Sequence, residues 1–221
     1  AVFEERCKKV GAKLHKANFD SIRLRSHGLE GQVFDCDGYE ALELPLLGDH
    51  QLHNAAVVLT AVDALRTRGW NLPEDAVRRG LKDVKWPGRF ELLRKDPLFI
   101  IDGGHNPQCA QALAASLRGL YGEKKLIFLI GVLADKDWQS MVGEVLPLAK
   151  AIVTVRPESD RAKDENELAA WVRAQGVPAE AHASIGEALD AALALAGPED
   201  AVCAWGSLYS VGELRHCLGL C

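Results

Sequence analysis

The clearest indication of the fold class is the segment Leu98-Phe99-Ile100-Ile101-Asp102-Gly103-Gly104-His105-Asn106-Pro107. Its first four residues are apolar without alternation, which predicts a strand buried on both faces at the centre of a parallel sheet. Two glycines follow, and Asn106-Pro107 is a pair that favours the cap and the first position of a helix. The sequence therefore predicts a strand over 98–101, a tight turn and a helix that begins at Pro107.

The same order of strand, turn and helix repeats from this stretch to the end of the chain. The predicted strands are 126–131, 151–155 and 201–205, and the predicted helices are 107–120, 138–149, 165–174, 185–196 and 208–218. Strands that alternate with helices of this length indicate an α/β fold, a Rossmann-like and mostly parallel sheet with helices on both faces. Ligands of such sheets bind beyond the carboxyl ends of the strands.

The residues before this region follow another pattern. Residues 21–47 alternate apolar and polar side chains in short runs separated by glycines, which predicts a small antiparallel sheet. Asp49 is predicted to cap a helix that closes at Gly69. A shorter helix is predicted to start after Pro73 and to end by Gly80.

The turn at Trp86-Pro87-Gly88 divides these two patterns. The chain has 221 residues, about one and a half domains at roughly 150 residues each. We therefore predict two parts, residues 1–85 and residues 86–221.

Composition and charge exclude several classes of protein. Hydrophobic residues make up 48% of the chain, enough for a packed core. Its 26 Lys and Arg against 31 Asp and Glu give a net charge of −5, which argues against a nucleic acid as partner. The longest apolar runs, such as 126–130, are too short to span a membrane. We expect a soluble, cytoplasmic protein with no membrane partner.

No metal site and no disulfide framework is predicted. His50 and His53 lie at helical spacing, but no third ligand accompanies them. The six cysteines form no Cys-x-x-Cys pair, and disulfide frameworks belong to shorter secreted domains. We expect free thiols.

The turn after the first strand is the first candidate site. Its two glycines let a ligand approach the backbone, and the helix that follows presents a positive dipole end to an anion. Asp102 is placed to accept from a ribose hydroxyl or a metal-bound water, and His105 to donate to a carboxylate. The alternative is a simple capping turn, which explains Asn106 and Pro107 but leaves Asp102 and His105 without a structural reason.

Three other segments carry candidate chemistry with ordinary alternatives. Arg89 follows the tight turn and is either a phosphate ligand or a solvated charge. Gly206-Ser207 offers a second anion-sized site at a helix start. The aspartates of 131–137 either bind or only cap a helix. No Gly-x-x-x-x-Gly-Lys-Ser/Thr and no Gly-x-Gly-x-x-Gly occurs in the chain, so it has no loop that holds a triphosphate by itself.

Five motifs together make the chain resemble a known family. In order and spacing they are similar to the folylpolyglutamate synthase and dihydrofolate synthase family of Mur-type ligases. They are Gly48-Asp49-His50-Gln51-Leu52-His53-Asn54-Ala55-Ala56, Pro87-Gly88-Arg89-Phe90-Glu91, Asp102-Gly103-Gly104-His105-Asn106-Pro107, Gly131-Val132-Leu133-Ala134-Asp135-Lys136-Asp137 and Gly206-Ser207-Leu208-Tyr209-Ser210-Val211-Gly212-Glu213.

The resemblance covers only the later half of such an enzyme. It implies that residues 1–85 are the tail of the central ATP-binding domain and that 86–221 form the C-terminal Rossmann-like domain. The family's phosphate-binding loop, magnesium ligands and carbamylated lysine have no counterpart here. The chain is therefore expected to be a fragment that is inactive without the missing N-terminal half.

The activity that the resemblance implies is ATP-dependent ligation, with Mg²⁺, of L-glutamate to folate or dihydropteroate through an acyl phosphate. Asn54 then matches an adenine contact, Arg89 a catalytic arginine on the ATP phosphates and Asp102 a ribose or nucleotide contact. His105 and Ser207 match positions of the glutamate site. The alternatives are a Mur-type amino-acid ligase of cell-wall synthesis and a non-catalytic binding module for nucleotides or amino acids.

Overall fold

The protein divides into two compact units, one ending at Lys85 and the other beginning at Trp86. They are described by a computed structural model that covers residues 2–220. The first unit contains helix α1 (Val2–Val10), strands β1 (Arg23–Gly28), β2 (Gly31–Cys36) and β3 (Tyr39–Leu44), and helices α2 (Asp49–Arg66) and α3 (Glu74–Lys82).

The predicted antiparallel sheet of the first unit is confirmed. Its strands pair in the order β1-β2-β3, and both pairs are antiparallel. Burial alternates along β2, so that Phe34 and Cys36 point into the core. There they join one apolar cluster with the buried face of α2, which includes Leu52, Ala56 and Leu59. The alternation read from the sequence is thus the pattern of a sheet packed on one side by a helix.

The helix boundaries of this unit differ from the prediction in three places. Asp49 is not the cap of α2 but its first residue, because Gly48 takes the cap position with φ +97° and no side-chain hydrogen bond. Helix α2 ends at Arg66, and Gly69 closes the turn that follows with φ +89°. Helix α3 continues past Gly80 to Lys82, since a glycine weakens a helix without ending it.

The second unit contains the α/β fold. Its strands are β4 (Glu91–Lys95), β5 (Leu98–Asp102), β6 (Leu126–Ile130), β7 (Ala149–Val155), β8 (Ala179–His182) and β9 (Ala201–Trp205). Its helices are α4 (Pro107–Tyr121), α5 (Trp138–Val145), α6 (Glu165–Ala174), α7 (Ile185–Leu195) and α8 (Leu208–Cys217). The sheet order is β4-β5-β9-β6-β7-β8, and only the β4–β5 pair is antiparallel.

The central strands are buried on both faces, as predicted. Every residue of β6 and β9 is buried. Phe99, Ile127 and Val202 point to one face and pack with the apolar residues of α7 and α8. The alternate strand residues face the opposite side. The prediction of a mostly parallel sheet with helices on both faces is confirmed.

Two strands and one helix end were not predicted correctly. β4 and β8 lie at the two edges of the sheet and are partly exposed, so they lack the apolar run that marks a central strand. The helix predicted over 138–149 ends at Val145, and a 3-10 turn over Leu146–Leu148 follows. Pro147 explains this end, because proline breaks the hydrogen bonding of a helix interior.

Three further observations concern residues 2–220 as a whole. No helix in this range is long and apolar enough to cross a bilayer. Within the same range no three His, Cys, Asp or Glu side chains come together as a metal site would require. The five cysteines placed there carry free thiols, and Cys36 and Cys203 are buried.

Candidate functional site

The turns after β5 and β9 lie side by side at the carboxyl edge of the sheet. The two strands are parallel neighbours, paired from Leu98 with Ala201 to Asp102 with Trp205. A site shared by the two turns requires this adjacency, and the structure confirms it. Each turn leads directly into a helix, β5 into α4 and β9 into α8.

The two turns also contact each other. A Cβ atom at Gly103 would come within 2.3 Å of Cδ2 of Leu208, the first residue of α8, and within 3.2 Å of the carbonyl oxygen of Gly88. Gly206 has φ +109°, and a Cβ there would lie 2.7 Å from the carbonyl oxygen of Gly131. Glycine at these two positions lets the turns after β5, β6 and β9 pack closely.

Asp102 has a structural role that the sequence analysis missed. Its side chain is buried, and Oδ1 accepts the backbone N–H of Gly104 at 2.7 Å. Oδ2 accepts the backbone N–H of Phe90 at 2.9 Å. The expectation that Asp102 lacks a structural reason is therefore wrong. Its carboxylate joins the turn after β5 to the turn that carries Arg89.

Hydrogen bonds fix the turn over residues 86–90, which we call the Arg89 turn. The carbonyl of Gly88 accepts from the N–H of Gly103 at 2.8 Å, and the N–H of Arg89 donates to Trp86 at 3.3 Å. Gly88 has φ +74°, and a Cβ there would lie 2.8 Å from Val211 of α8. Arg89 itself is half-buried, and no residue in 2–220 forms a hydrogen bond or ion pair with its guanidinium.

A carboxylate on the other side of this turn was also missed. Glu91 Oε2 accepts the N–H of Gly88 at 2.7 Å, and Glu91 Oε1 accepts from Arg215 Nη1 at 2.5 Å. The one signal in the sequence is the position of the Glu91 carboxylate, two residues after Arg89. Its partner Arg215 lies 124 residues away, so no local pattern could identify it.

His105 has a defined orientation. Its Nδ1 lies 3.0 Å from the carbonyl oxygen of Gly103. A carbonyl can only accept, so Nδ1 carries a hydrogen. Nε2 has no partner among residues 2–220. It is an acceptor in the neutral ring and a donor in the protonated ring.

The capping interpretation of Asn106-Pro107 is confirmed. Asn106 Oδ1 accepts the N–H of Cys109 at 2.9 Å, and Pro107 is the first residue of α4. Ser207 has the same role at α8, where its Oγ accepts the N–H of Tyr209 at 3.2 Å. Ser207 is 2% exposed, and its hydroxyl hydrogen has no acceptor in the described part of the chain.

The aspartates after β6 are explained by structure. Asp137 caps α5, and Asp135 forms an ion pair with Arg161 at 3.0 Å. Burial raises the pKa of Glu213 on α8, whose Oε1 accepts the N–H of Glu158 at 3.2 Å. The capping alternative is confirmed for Asp137, whereas Asp135 forms an ion pair and caps no helix.

Asn54, the predicted adenine contact, belongs to the first unit. It is an exposed residue of α2, and its Nδ2 donates to Gln51 Oε1 at 3.0 Å. No other hydrogen bond of its side chain is formed within residues 2–220. The amide therefore keeps one donor and its carbonyl oxygen for a ligand such as a purine edge.

Comparison with known proteins identifies the family. The family model described as "Mur ligase, glutamate ligase domain" matches residues 88–208, more than half of the chain. A probable bifunctional folylpolyglutamate synthase/dihydropteroate synthase of Haloferax volcanii is 35% identical over 79% of this chain and 20% of its own length. The dihydrofolate synthase/folylpolyglutamate synthase of Mycobacterium tuberculosis is 36% identical over 67% of this chain and 32% of its own length.

Solved structures extend the likeness to nearly all of the chain. Mycobacterium tuberculosis folylpolyglutamate synthase complexed with ADP and AMPPCP has a TM-score of 0.87 and 30% identity, over 99% of this chain and 52% of that one. Escherichia coli FolC in complex with DHPP and ADP has a TM-score of 0.80 and 27% identity, over 98% of this chain and 50% of that one. This chain thus spans a fifth to a third of these curated relatives and about half of these solved structures. By its matched domain, its strand-end motifs and its fold, the chain belongs to the Mur ligase family, among relatives that are folylpolyglutamate and dihydrofolate synthases.

Proposed function

We propose that this chain is part of an ATP-dependent ligase that adds L-glutamate to a folate, to dihydropteroate or to both. Residues 1–85 correspond in this proposal to the tail of its central domain and residues 86–221 to its C-terminal domain. The names of the relatives support the folate class over a cell-wall ligase, and the complexes of the solved relatives with ADP and AMPPCP support a nucleotide substrate. The observation that carries the proposal is the Arg89 guanidinium, which has no partner among residues 2–220 and is held on a fixed turn beside two helix N-termini.

The reaction proceeds in two transfers. A carboxylate oxygen of the folate or dihydropteroate attacks the γ-phosphorus of ATP, and ADP leaves. The free amine of glutamate then attacks the acyl carbon, phosphate leaves, and the nitrogen gives up a proton. Phosphoryl transfer depends mainly on positioning and on neutralising charge. Mg²⁺ supplies part of that neutralisation, and we assign its ligands to the part of the ligase outside this chain.

Arg89 supplies the remaining positive charge in this proposal. A guanidinium forms paired hydrogen bonds with phosphate oxygens, and the Arg89 turn is already ordered before the nucleotide binds. Such preorganisation reduces the entropy that binding costs. Arg89 is therefore the residue in this chain that we assign to the ATP phosphates and to catalysis.

His105 and Ser207 are assigned to glutamate. The hydroxyl of Ser207 can donate to a carboxylate beside the N-terminus of α8. His105 Nε2 can donate to a carboxylate when the ring is protonated, or accept from the amine of glutamate when it is neutral. The adjacency of β5 and β9 supports one shared glutamate site.

Asn54 and Asp102 complete the nucleotide contacts of the proposal. Within residues 2–220 Asn54 keeps one N–H donor and its carbonyl oxygen unbonded, and reading a purine edge requires these two groups. A carboxylate offers about four lone-pair positions. We assign Asp102 to a ribose hydroxyl, which can donate to a carboxylate oxygen.

Isotope transfer tests the proposed reaction in the intact polypeptide that carries this chain. The assay supplies ATP, L-glutamate and dihydropteroate or tetrahydrofolate with ¹⁸O in the carboxylate that is joined. We expect a new amide and one ¹⁸O atom in each released phosphate. Product without ¹⁸O in phosphate contradicts the acyl phosphate. Turnover with a cell-wall precursor and not with either pterin contradicts the folate assignment.

The 221-residue chain alone is the matched control for this assay. It lacks a phosphate-binding loop motif, so we expect no amide product from it. Glutamate incorporation by the purified chain would show that the triphosphate is held by groups other than those proposed.

A further inference from the structure

We propose that Glu91 and Arg215 are a positioning pair that holds the Arg89 turn and keeps the Arg89 guanidinium free for phosphate. The inference rests on the proposed function in one respect, the assignment of Arg89 to the ATP phosphates. It adds two residues to which the sequence motifs assign no role.

Glu91 connects two elements that are distant in sequence. One carboxylate oxygen accepts the N–H of Gly88 at 2.7 Å, and the other accepts from Arg215 Nη1 at 2.5 Å. The Glu91 and Arg215 side chains are 27% and 21% exposed. An ion pair with this burial is less screened by water and salt than one on the open surface.

Arg215 is itself fixed. It lies near the end of α8, and its Nη2 donates to the carbonyl of Leu220 at 2.8 Å. Val211, one turn earlier on α8, packs against Gly88. The Arg89 turn is thus attached to α8 twice, by an ion pair and by an apolar contact. The same helix begins at Ser207, which we assign to glutamate.

The Glu91–Arg215 ion pair also explains why the Arg89 guanidinium has no carboxylate partner among residues 2–220. Glu91 lies two residues from Arg89, and Asp102 binds the neighbouring N–H of Phe90. Either carboxylate would neutralise the Arg89 guanidinium if it turned toward it. Both oxygens of Asp102 accept backbone N–H groups, and Glu91 is held by Gly88 and Arg215. Arg215 therefore keeps the Glu91 carboxylate from competing with phosphate.

Kinetics of the intact polypeptide test this pair. Arg215→Met releases Glu91, so we expect the KM for ATP to rise about tenfold or more, the effect of losing a hydrogen bond to a charged group. The KM for the folate or pteroate substrate stays within about twofold. In the double variant Arg215→Met/Glu91→Gln the glutamine still accepts from Gly88 but cannot neutralise Arg89. We expect this second substitution to restore much of the ATP affinity.

A purely structural pair gives a different result. The thermal midpoint then falls in Arg215→Met, the KM for ATP does not change, and the double variant is no better than the single one. That outcome overturns the proposal. Arg118→Met is the matched control, because the Arg118 side chain is exposed and forms no hydrogen bond or ion pair within residues 2–220. We expect it to leave both the thermal midpoint and the KM for ATP unchanged.

Hydrogen exchange tests the geometry without any substitution or turnover. The proposal requires the N–H of Gly88 in this chain to be protected from exchange by its bond to Glu91. Rapid exchange of this amide would overturn the proposed positioning role of Glu91 and Arg215, even where the Arg215→Met variant does not fold.

An Arg89→Ala variant separates the positioning role of the pair from the assignment of Arg89 to the ATP phosphates. If this variant leaves the KM for ATP unchanged, the phosphate assignment fails. If Arg89→Ala raises that KM and Arg215→Met does not, only the positioning pair fails.

Discussion

Replacing Asp102 by asparagine is expected to destabilise the second unit with no nucleotide present. Asp102 is 7% exposed, and its two oxygens accept the N–H groups of Gly104 and Phe90 at 2.7 and 2.9 Å. Asparagine has the same shape but only one acceptor oxygen, and its NH₂ group would face one of the two N–H donors. One buried N–H then loses its partner.

The magnitude follows from these two bonds. A hydrogen bond to a charged group contributes about 1.5–3 kcal/mol, and a buried polar group left without a partner costs about 1–3 kcal/mol. Asparagine keeps one bond in a weaker, neutral form. We therefore expect Asp102→Asn to lower the free energy of unfolding by about 2–4 kcal/mol, a large part of the roughly 5–15 kcal/mol of a typical domain.

Equilibrium urea unfolding followed by tryptophan fluorescence measures this change. The signal reports mainly on the second unit, because most of the chain's tryptophans lie there: Trp86, Trp138, Trp171 and Trp205. Asp160→Asn is the matched control, since Asp160 is exposed and forms no bond in the described range. A loss for Asp102→Asn below about 0.5 kcal/mol, the usual range of surface substitutions, would refute the role given to this carboxylate.

Three further predictions concern the site and its surroundings. Arg89→Ala in the intact polypeptide should lower kcat/KM for ATP roughly ten- to 150-fold with an unchanged thermal midpoint, and unaltered ATP kinetics would make Arg89 a surface charge. His105→Ala and Ser207→Ala should each raise the KM for glutamate by about 5- to 150-fold and leave that for ATP unchanged, whereas a rise in the ATP KM alone contradicts the glutamate site. A hydrogen bond from Lys150 holds the pKa of Asp200 below its usual value of about 3.9, so the stability that Asp200 contributes is present above that pH and is lost as the pH falls further. Urea unfolding of Asp200→Asn between about pH 6 and 3 should therefore show a smaller loss on acidification, and an acid limb identical to that of the unchanged protein would contradict the assignment.

The central elements of the fold could be predicted because their residues carry local signals. β6 and β9 are continuous apolar runs, and Asn106-Pro107 is a capping pair that needs no tertiary context. The edge strands β4 and β8 could not be predicted in the same way. Their side chains are half exposed, and their pairing depends on neighbours far along the chain.

The candidate site was predictable in its residues but not in its connections. The motifs placed His105 and Ser207 at turns next to helix starts and Arg89 after a tight turn, where the structure has them. The bonds of Asp102 to Phe90 and of Glu91 to the remote α8 depend on tertiary contacts. The sequence shows which residues carry charge, and only the fold shows which charges are already satisfied.

A crystal structure of the intact polypeptide with a non-hydrolysable ATP analogue and L-glutamate would show whether Arg89 binds the phosphates. We expect the Arg89 guanidinium within about 3.5 Å of phosphate oxygens, with Glu91 still paired to Arg215. We expect the glutamate to contact His105 and Ser207. Phosphates bound elsewhere, with Arg89 in solvent or paired to Glu91, would contradict the assignment of Arg89 to the ATP phosphates.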